Sequence, residues 1–134
     1  ESAGAVTSLF YGYVESAQYE GNSGNPGFSS EIHAVGSISG SLKTMAYCDG
    51  VHPFPHDCKV DEPIDRTDGI TGQNQVPLML IHGTEDTITP YANGKAAFYQ
   101  AQEVGLPSAL ITIQGAYHVP WEEIWTPKYF TPMM

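Results

Sequence analysis

The chain has 134 residues and a mass of 14.5 kDa, a size that fits one domain of roughly 100–200 residues, and its 41% hydrophobic content excludes a disordered chain. Five Lys plus Arg against fifteen Asp plus Glu give a net charge of −10, a field that repels nucleic acid and anionic membrane surfaces. The longest apolar run, Val76 to Ile81, is strand-sized and falls short of the ~18 residues of a membrane span.

In chain order, Ala3 to Val14 is predicted as a helix, because Ala5, Val6, Leu9, Phe10, Tyr13 and Val14 recur at the spacing of one buried face. Tyr19 to Ser30 is rich in Gly, Asn and Ser and is predicted as loop. Ile32 to Ile38 is predicted as a short strand. Gly40 to Asn74 is a long irregular stretch holding both cysteines and Pro53, Pro55 and Pro63; such a stretch in a compact domain is usually functional or stapled. Pro77 to Ile81 is predicted as a strand covered on both faces, since Leu78, Met79, Leu80 and Ile81 are continuously apolar. Tyr91 to Val104 is predicted as a helix ended by Gly105 and Pro107. Ala109 to Ile113 is a further strand, and Trp121 to Trp125 a short helix before Pro127. This alternation implies an α/β fold with a mostly parallel sheet and covering helices.

Three segments carry candidate chemistry. Glu1-Ser2-Ala3-Gly4 opens the first helix, His82 to Pro90 follows the strong strand, and Gly115-Ala116-Tyr117-His118 follows the last strand. A Ser followed by a small residue and Gly at a helix start is the right half of a G-x-S-x-G nucleophile elbow, whose cramped turn needs small residues. The plainer reading makes Ser2 an N-cap. Asp86 lies beyond the end of a predicted parallel strand, where α/β sheets place their ligands; the plainer readings are a turn residue or a helix N-cap, and Glu85 is an alternative acid. His118 is one of five histidines, with His33, His52, His56 and His82; alone it is an ordinary loop residue, and His82 at a strand end is expected to be structural. The order decides between them. Ser, acid, His, each after a strand, is the order in which α/β-hydrolases carry their triad. Ser2 is then the nucleophile, His118 the general base and acid, Asp86 the residue that fixes the imidazole, and the Ala3 N–H an oxyanion-hole donor.

On these residues the chain resembles the C-terminal half of an α/β-hydrolase fold serine esterase. Its start resembles the G-E-S-A-G-A elbow of carboxylesterases without the first Gly. His82 to Pro90 is similar to the H-G-x-x-D-x-x-x-P acid loop of esterases of the feruloyl, acetylxylan and dienelactone type, and of prolyl oligopeptidases. The resemblance implies a serine hydrolase acting on a small carboxylic ester through an acyl-enzyme intermediate, with no cofactor and no metal. The elbow is carboxylesterase-like whereas cholinesterase-type enzymes typically carry Glu as the acid, so the substrate is left open. Alternatives are a serine peptidase of the prolyl oligopeptidase type and a non-catalytic relative used for binding. The resemblance further implies that residues 1–134, irregular loop 40–75 included, are the C-terminal part of one domain. The N-terminal half of the same enzyme, with its H-G-G-G-type oxyanion loop, is then the missing partner, and the chain by itself is expected to be inactive. Residue 1 is Glu rather than Met, in keeping with a piece of a longer product.

Cys48 and Cys58 enclose a Pro-rich loop. An even count at this spacing reads as a disulfide, which would place the protein in a secreted or lumenal compartment. The rival is zinc, since Cys48, His52, His56 and Cys58 supply two sulfur and two nitrogen ligands; free thiols are the third reading. Tyr11, Tyr13, Tyr117 and Trp121 are candidates for an acyl or aromatic pocket, with packing the preferred reading for Tyr13 and Trp121. The acids from Asp57 to Asp68 read as a solvated loop rather than a calcium site.

Overall fold

The computed structural model describes residues 1–14, 27–44 and 64–126. Its elements in chain order are α1 (Ser2–Tyr13), β1 (Val35–Ile38), β2 (Lys43–Thr44), β3 (Ile64–Asp65), a single turn of 3-10 helix (Thr67–Gly69), β4 (Leu78–Gly83), α2 (Tyr91–Glu103), β5 (Ser108–Ile113) and α3 (Trp121–Ile124). β1, β4 and β5 form a parallel sheet in the order β1-β4-β5, and β2 and β3 a separate antiparallel pair. A parallel pair requires a crossover, and α2 supplies the one between β4 and β5.

Side chains alternate across a strand, and in-register parallel partners share a face. Val35 pairs with Leu78, Ser37 with Leu80, and Leu80 with Leu110. This face is covered by both long helices: α1 packs on β1, and α2 on β4 and β5. Leu9 and Tyr13 of α1 and Ala97 and Ala101 of α2 join Val35, Leu78 and Leu80 in one buried core, completed by Leu42, Ile70 and Leu106. Each fully buried Leu contributes about 1.5–3 kcal/mol. The helices approach closely because small residues face the sheet. A Cβ on Gly12 would lie 2.5 Å from a Val35 methyl, and one on Gly94 2.5 Å from the His82 ring. Burial raises the Tyr13 phenol above its ordinary pKa, and its hydroxyl donates to the Val76 carbonyl at 2.9 Å.

The opposite face corrects one expectation. Within the described residues β4 is covered on one face: Met79 is 45% exposed, Gly36 and Ala109 beside it in register are exposed, and Ile81 is half-buried. A continuous apolar run is compatible with two covered faces, but both long helices among the described residues lie on the same side. β1 is also shorter than predicted, because its ladder with β4 begins at Val35, whose N–H donates to the Pro77 carbonyl at 2.9 Å. Ile32 packs against the core without joining the strand. The stretch from 40 to 74 is not wholly irregular. Its two ends meet in the β2–β3 pair, where Lys43 and Asp65 form a 2.7 Å salt bridge. Leu42 and Ile70 from this stretch are fully buried, so it contributes core as well as loop. Cys48, His52, His56 and Cys58, and with them the disulfide and zinc readings, lie outside the described residues. No helix among the described residues is long and apolar enough to cross a membrane.

Candidate active site

The carboxyl ends of β4 and β5 and the start of α1 converge on one point. The His82-Gly83 pair ends β4, and Gly83 is required there: a Cβ would lie 2.2 Å from the Ala116 carbonyl oxygen and 2.5 Å from that of Tyr117. This close approach lets the loop after β4 lie directly against the loop after β5. The two loops are then tied together. The Thr84 N–H donates to the Ile113 carbonyl at 3.1 Å and the Glu85 N–H to that of Ala116 at 3.0 Å. The Gly115 N–H donates to the Thr84 hydroxyl at 2.8 Å. Gly115 itself turns at φ +76°, a conformation that glycine adopts without steric cost.

Asp86 is held inside this junction with its side chain fully buried. One carboxylate oxygen, Oδ1, accepts from the Ile88 N–H at 3.0 Å and the Thr89 N–H at 2.8 Å. His118 Nδ1 lies 3.0 Å from Oδ1 and 2.9 Å from Oδ2. A carboxylate only accepts, so Nδ1 is the protonated nitrogen and Nε2 carries the lone pair. Burial pushes the Asp86 carboxyl up, but the hydrogen bonds from His118, Thr89 and Ile88 outweigh it and hold the group below the usual carboxylate range. Asp86 is not the N-cap of α2, which is Pro90; it does hold the turn after it through the Ile88 and Thr89 amides, and its burial sets it apart from a solvated turn residue. Glu85 points outward and is exposed.

His118 Nε2 faces Ser2, whose Oγ is 2.8 Å away. With Nε2 unprotonated, the Ser2 hydroxyl is the donor. Ser2 is the first residue of α1, its N-cap is Glu1, and no side chain caps the helix; the Ser2 hydroxyl therefore does not act as a cap. Its φ is +47°, a left-handed conformation that costs about 1–2 kcal/mol for a residue with a Cβ. The Ala5 N–H donates to the Glu1 carbonyl at 3.1 Å and closes the first turn. Ala3, exposed at the next position, sits where helix amides have no intrahelical acceptor and where the helix dipole is positive.

The structure thus brings together Ser2, Asp86 and His118, three residues spread over 116 positions of sequence separation. Two further groups support them that the sequence did not single out for this role. His82, fully buried, has Nε2 2.7 Å from the Thr89 carbonyl and 3.3 Å from Asp86 Oδ2. It braces the acid loop from below, and its Nδ1 is buried without a partner among the described residues. Ser39, at the end of β1, receives the Val119 N–H on its hydroxyl at 3.0 Å. The place of His82 at a strand end marked it as structural without showing what it braces; nothing in the sequence marked Ser39.

The aromatic candidates divide. Tyr11 and Tyr13 belong to the far end of α1, about 15 Å along a helix of this pitch from Ser2, where their hydroxyls donate to the carbonyls of Ser30 and Val76. A cavity of about 260 Å³ opens there too, beside Tyr11 and Ile32, and is remote from Ser2. Tyr117 is exposed beside His118, and Trp121 stacks on Trp125 with ring centroids 6.4 Å apart. Among the described residues no group of three or more His, Cys, Asp or Glu is placed to hold a metal ion.

No family model matches the chain, and no curated protein matches it. Solved structures do. An esterase from the Planctomycetes species Thermogutta terrifontis, in its propionate-bound form, matches at 17% identity with a TM-score of 0.63, over 87% of this chain and 43% of that one. A truncated carbohydrate esterase from gut microbiota matches at 17% identity with a TM-score of 0.53, over 78% of this chain and 41% of that one. Thermogutta terrifontis esterase 2 phosphonylated by cyclosarin matches at 17% identity with a TM-score of 0.50, over 70% of this chain and 35% of that one. The chain spans less than half the length of these structures. Its architecture, a parallel sheet with covering helices, is a partial α/β-hydrolase fold.

Proposed function

We propose that the chain is the C-terminal, triad-bearing part of a serine hydrolase that cleaves carboxylic esters through an acyl-enzyme intermediate. The observation that carries this reading is the unbroken line Ser2 Oγ, His118 Nε2 and Nδ1, Asp86 carboxylate, with contacts of 2.8 Å and 2.9 Å. A serine hydroxyl in a hydrogen bond to an imidazole whose other nitrogen is fixed by a buried carboxylate is a nucleophile with its base attached.

In the reaction, Ser2 Oγ attacks the ester carbonyl carbon and its proton passes to His118 Nε2. The carbonyl π electrons move onto oxygen, and the Ala3 N–H faces the anion that forms. The adduct collapses, the carbon–oxygen bond to the leaving alcohol breaks, and that oxygen takes the proton from Nε2. Water then repeats the cycle on the acyl-enzyme: Nε2 takes its proton, the acid departs, and the proton returns to Ser2 Oγ. Asp86 stays ionised throughout and stabilises the imidazolium, a role suited to a carboxylate held below its usual pKa. A second oxyanion donor is assigned to the part of the enzyme beyond this chain, since one such donor is worth about 10²–10³ in rate. The ester rather than amide preference is supported by the esterase names of the structural neighbours, one of them propionate-bound and one phosphonylated.

Hydrolysis of p-nitrophenyl acetate tests the reading. The full-length protein should release an initial burst of nitrophenol, and Ser2→Ala and His118→Ala should each remove about 10⁴–10⁶ of the turnover. Undiminished turnover in Ser2→Ala would overturn it. Cleavage of peptide amides at rates equal to esters would replace the esterase by a peptidase.

A further inference from the structure

We propose that Ser39 is a positioning residue for the catalytic histidine, acting through the Val119 amide; the inference rests on the hydrolase reading above. Ser39 follows β1 directly, is fully buried, and continues the β1–β4 ladder by donating its N–H to the Ile81 carbonyl at 2.9 Å. Its hydroxyl oxygen accepts the N–H of Val119, the residue after His118, at 3.0 Å. The loop that carries His118 is therefore bonded to the central sheet on its own chain-forward side, independently of Asp86.

The backbone marks the same place. Three non-glycine residues among those described have positive φ: Ser2 at +47°, Ser39 at +54° and Val119 at +54°. A branched residue such as Val is a clear outlier there. Strain of this kind persists only where the surroundings over-determine it, and it clusters at active sites. Here one of the three is the proposed nucleophile, and the other two are partners in a single hydrogen bond beside the proposed base. Gly40 extends the arrangement toward the nucleophile. A Cβ on Gly40 would lie 2.7 Å from Ala5 Cβ and 3.0 Å from the Ala5 backbone carbon. The Ser39-Gly40 corner is therefore packed against the first turn of α1, which holds Ser2, while it bonds the loop that holds His118. It sets the separation of the two reacting groups. Without the Ser39 hydroxyl, the Val119 amide loses its partner, and the strained turn after His118 has no reason to hold its φ.

A misplacement of about 1 Å in a reacting pair costs up to about 10² in rate. Ser39→Gly and Ser39→Ala in the full-length protein, assayed on p-nitrophenyl acetate, test the assignment. Both remove the hydroxyl, but glycine accepts positive φ freely, so the Gly variant keeps the fold even where the Ala variant does not. The expected result is a fall in kcat of about 10–10²-fold in Ser39→Gly with KM changed less than two-fold, and an equal or larger fall in Ser39→Ala. A wild-type kcat in Ser39→Gly overturns the proposal, whether or not Ser39→Ala is impaired, because it shows that backbone conformation and not the hydroxyl matters. An equal fall in kcat/KM carried by KM alone also overturns it. Ser2→Ala measured alongside separates the two levels: if that variant retains turnover, the hydrolase reading fails; if it is dead while Ser39→Gly is wild-type, only the role of Ser39 fails.

Discussion

The two halves of the proposed site are held by different means. Asp86 and His118 sit in a knot of hydrogen bonds: two backbone amides and an imidazole on the carboxylate, three further bonds tying loop to loop, and His82 bracing the turn from below. Ser2 has its contact to His118 and is otherwise placed by packing, through Ala5 and Leu9 buried in the core and through a φ that resists it. The charged half is preorganised by polar bonds that fix direction. The nucleophile half depends on where a whole helix lies. Damage should accordingly be local and chemical in the first half, and conformational in the second.

After removal of Ser2 or His118 themselves, the largest effect is expected from the acid. Asp86→Asn should lower kcat by up to about 10⁴ through loss of the tautomer-fixing charge, while Glu85→Gln, at an exposed position, leaves kcat within a few-fold. Steady-state kinetics on both variants checks this, and the reverse pattern would reassign the acid. Next is the junction itself. Gly83→Ala places a methyl 2.2 Å from the Ala116 carbonyl oxygen, a backbone atom that cannot step aside. It should destabilise the fold by about 3 kcal/mol or more, as severe overpacking does, and urea titration would register it; a wild-type midpoint would mean that the two loops are not in such contact.

A smaller effect sharpens the contrast at Ser2. Ser2→Gly and Ser2→Ala both lose the hydroxyl, but only Ala keeps the cost of positive φ. The Gly variant should be the more stable by about 1 kcal/mol, opposite to the ordinary order inside helices, and thermal melts of the two compare them directly. The ordinary order would show that Ser2 is not strained. The smallest effect is that of pH. The folded pKa of Asp86 is lowered, so its contribution to stability is complete above the unfolded carboxylate value of about 3.9 and is lost as pH falls below it through the folded value. Acid titration of stability should therefore be shallower in Asp86→Asn than in the wild type below about pH 4.

Much of this was legible in the sequence, for identifiable reasons. α2 and β5 were readable because their apolar spacing and the Gly105 stop are local signals. The three candidate residues were readable because they stand in the order Ser, Asp, His, with Asp86 and His118 after strands and Ser2 at the start of a helix, even though each had a plain reading alone. What escaped depends on long-range contact. The exposed side of β4 escaped because a run such as Leu78 to Ile81 cannot say which faces are covered. The β2–β3 pair escaped because two-residue strands have no period. Ser39 escaped because its role exists only across 80 residues of sequence, in a bond to the Val119 amide. His82 was read as structural, and it is; that its structural task is to brace the acid loop was not visible.

The central claim is that Ser2 is a nucleophile activated by His118. Its most direct measurement is intact-mass analysis with peptide mapping after exposure of the full-length protein to a fluorophosphonate. One phosphonyl adduct per chain is expected, on Ser2, absent in Ser2→Ala and formed far more slowly in His118→Ala. An adduct on another residue, or labelling of Ser2 at the same rate without His118, would contradict it.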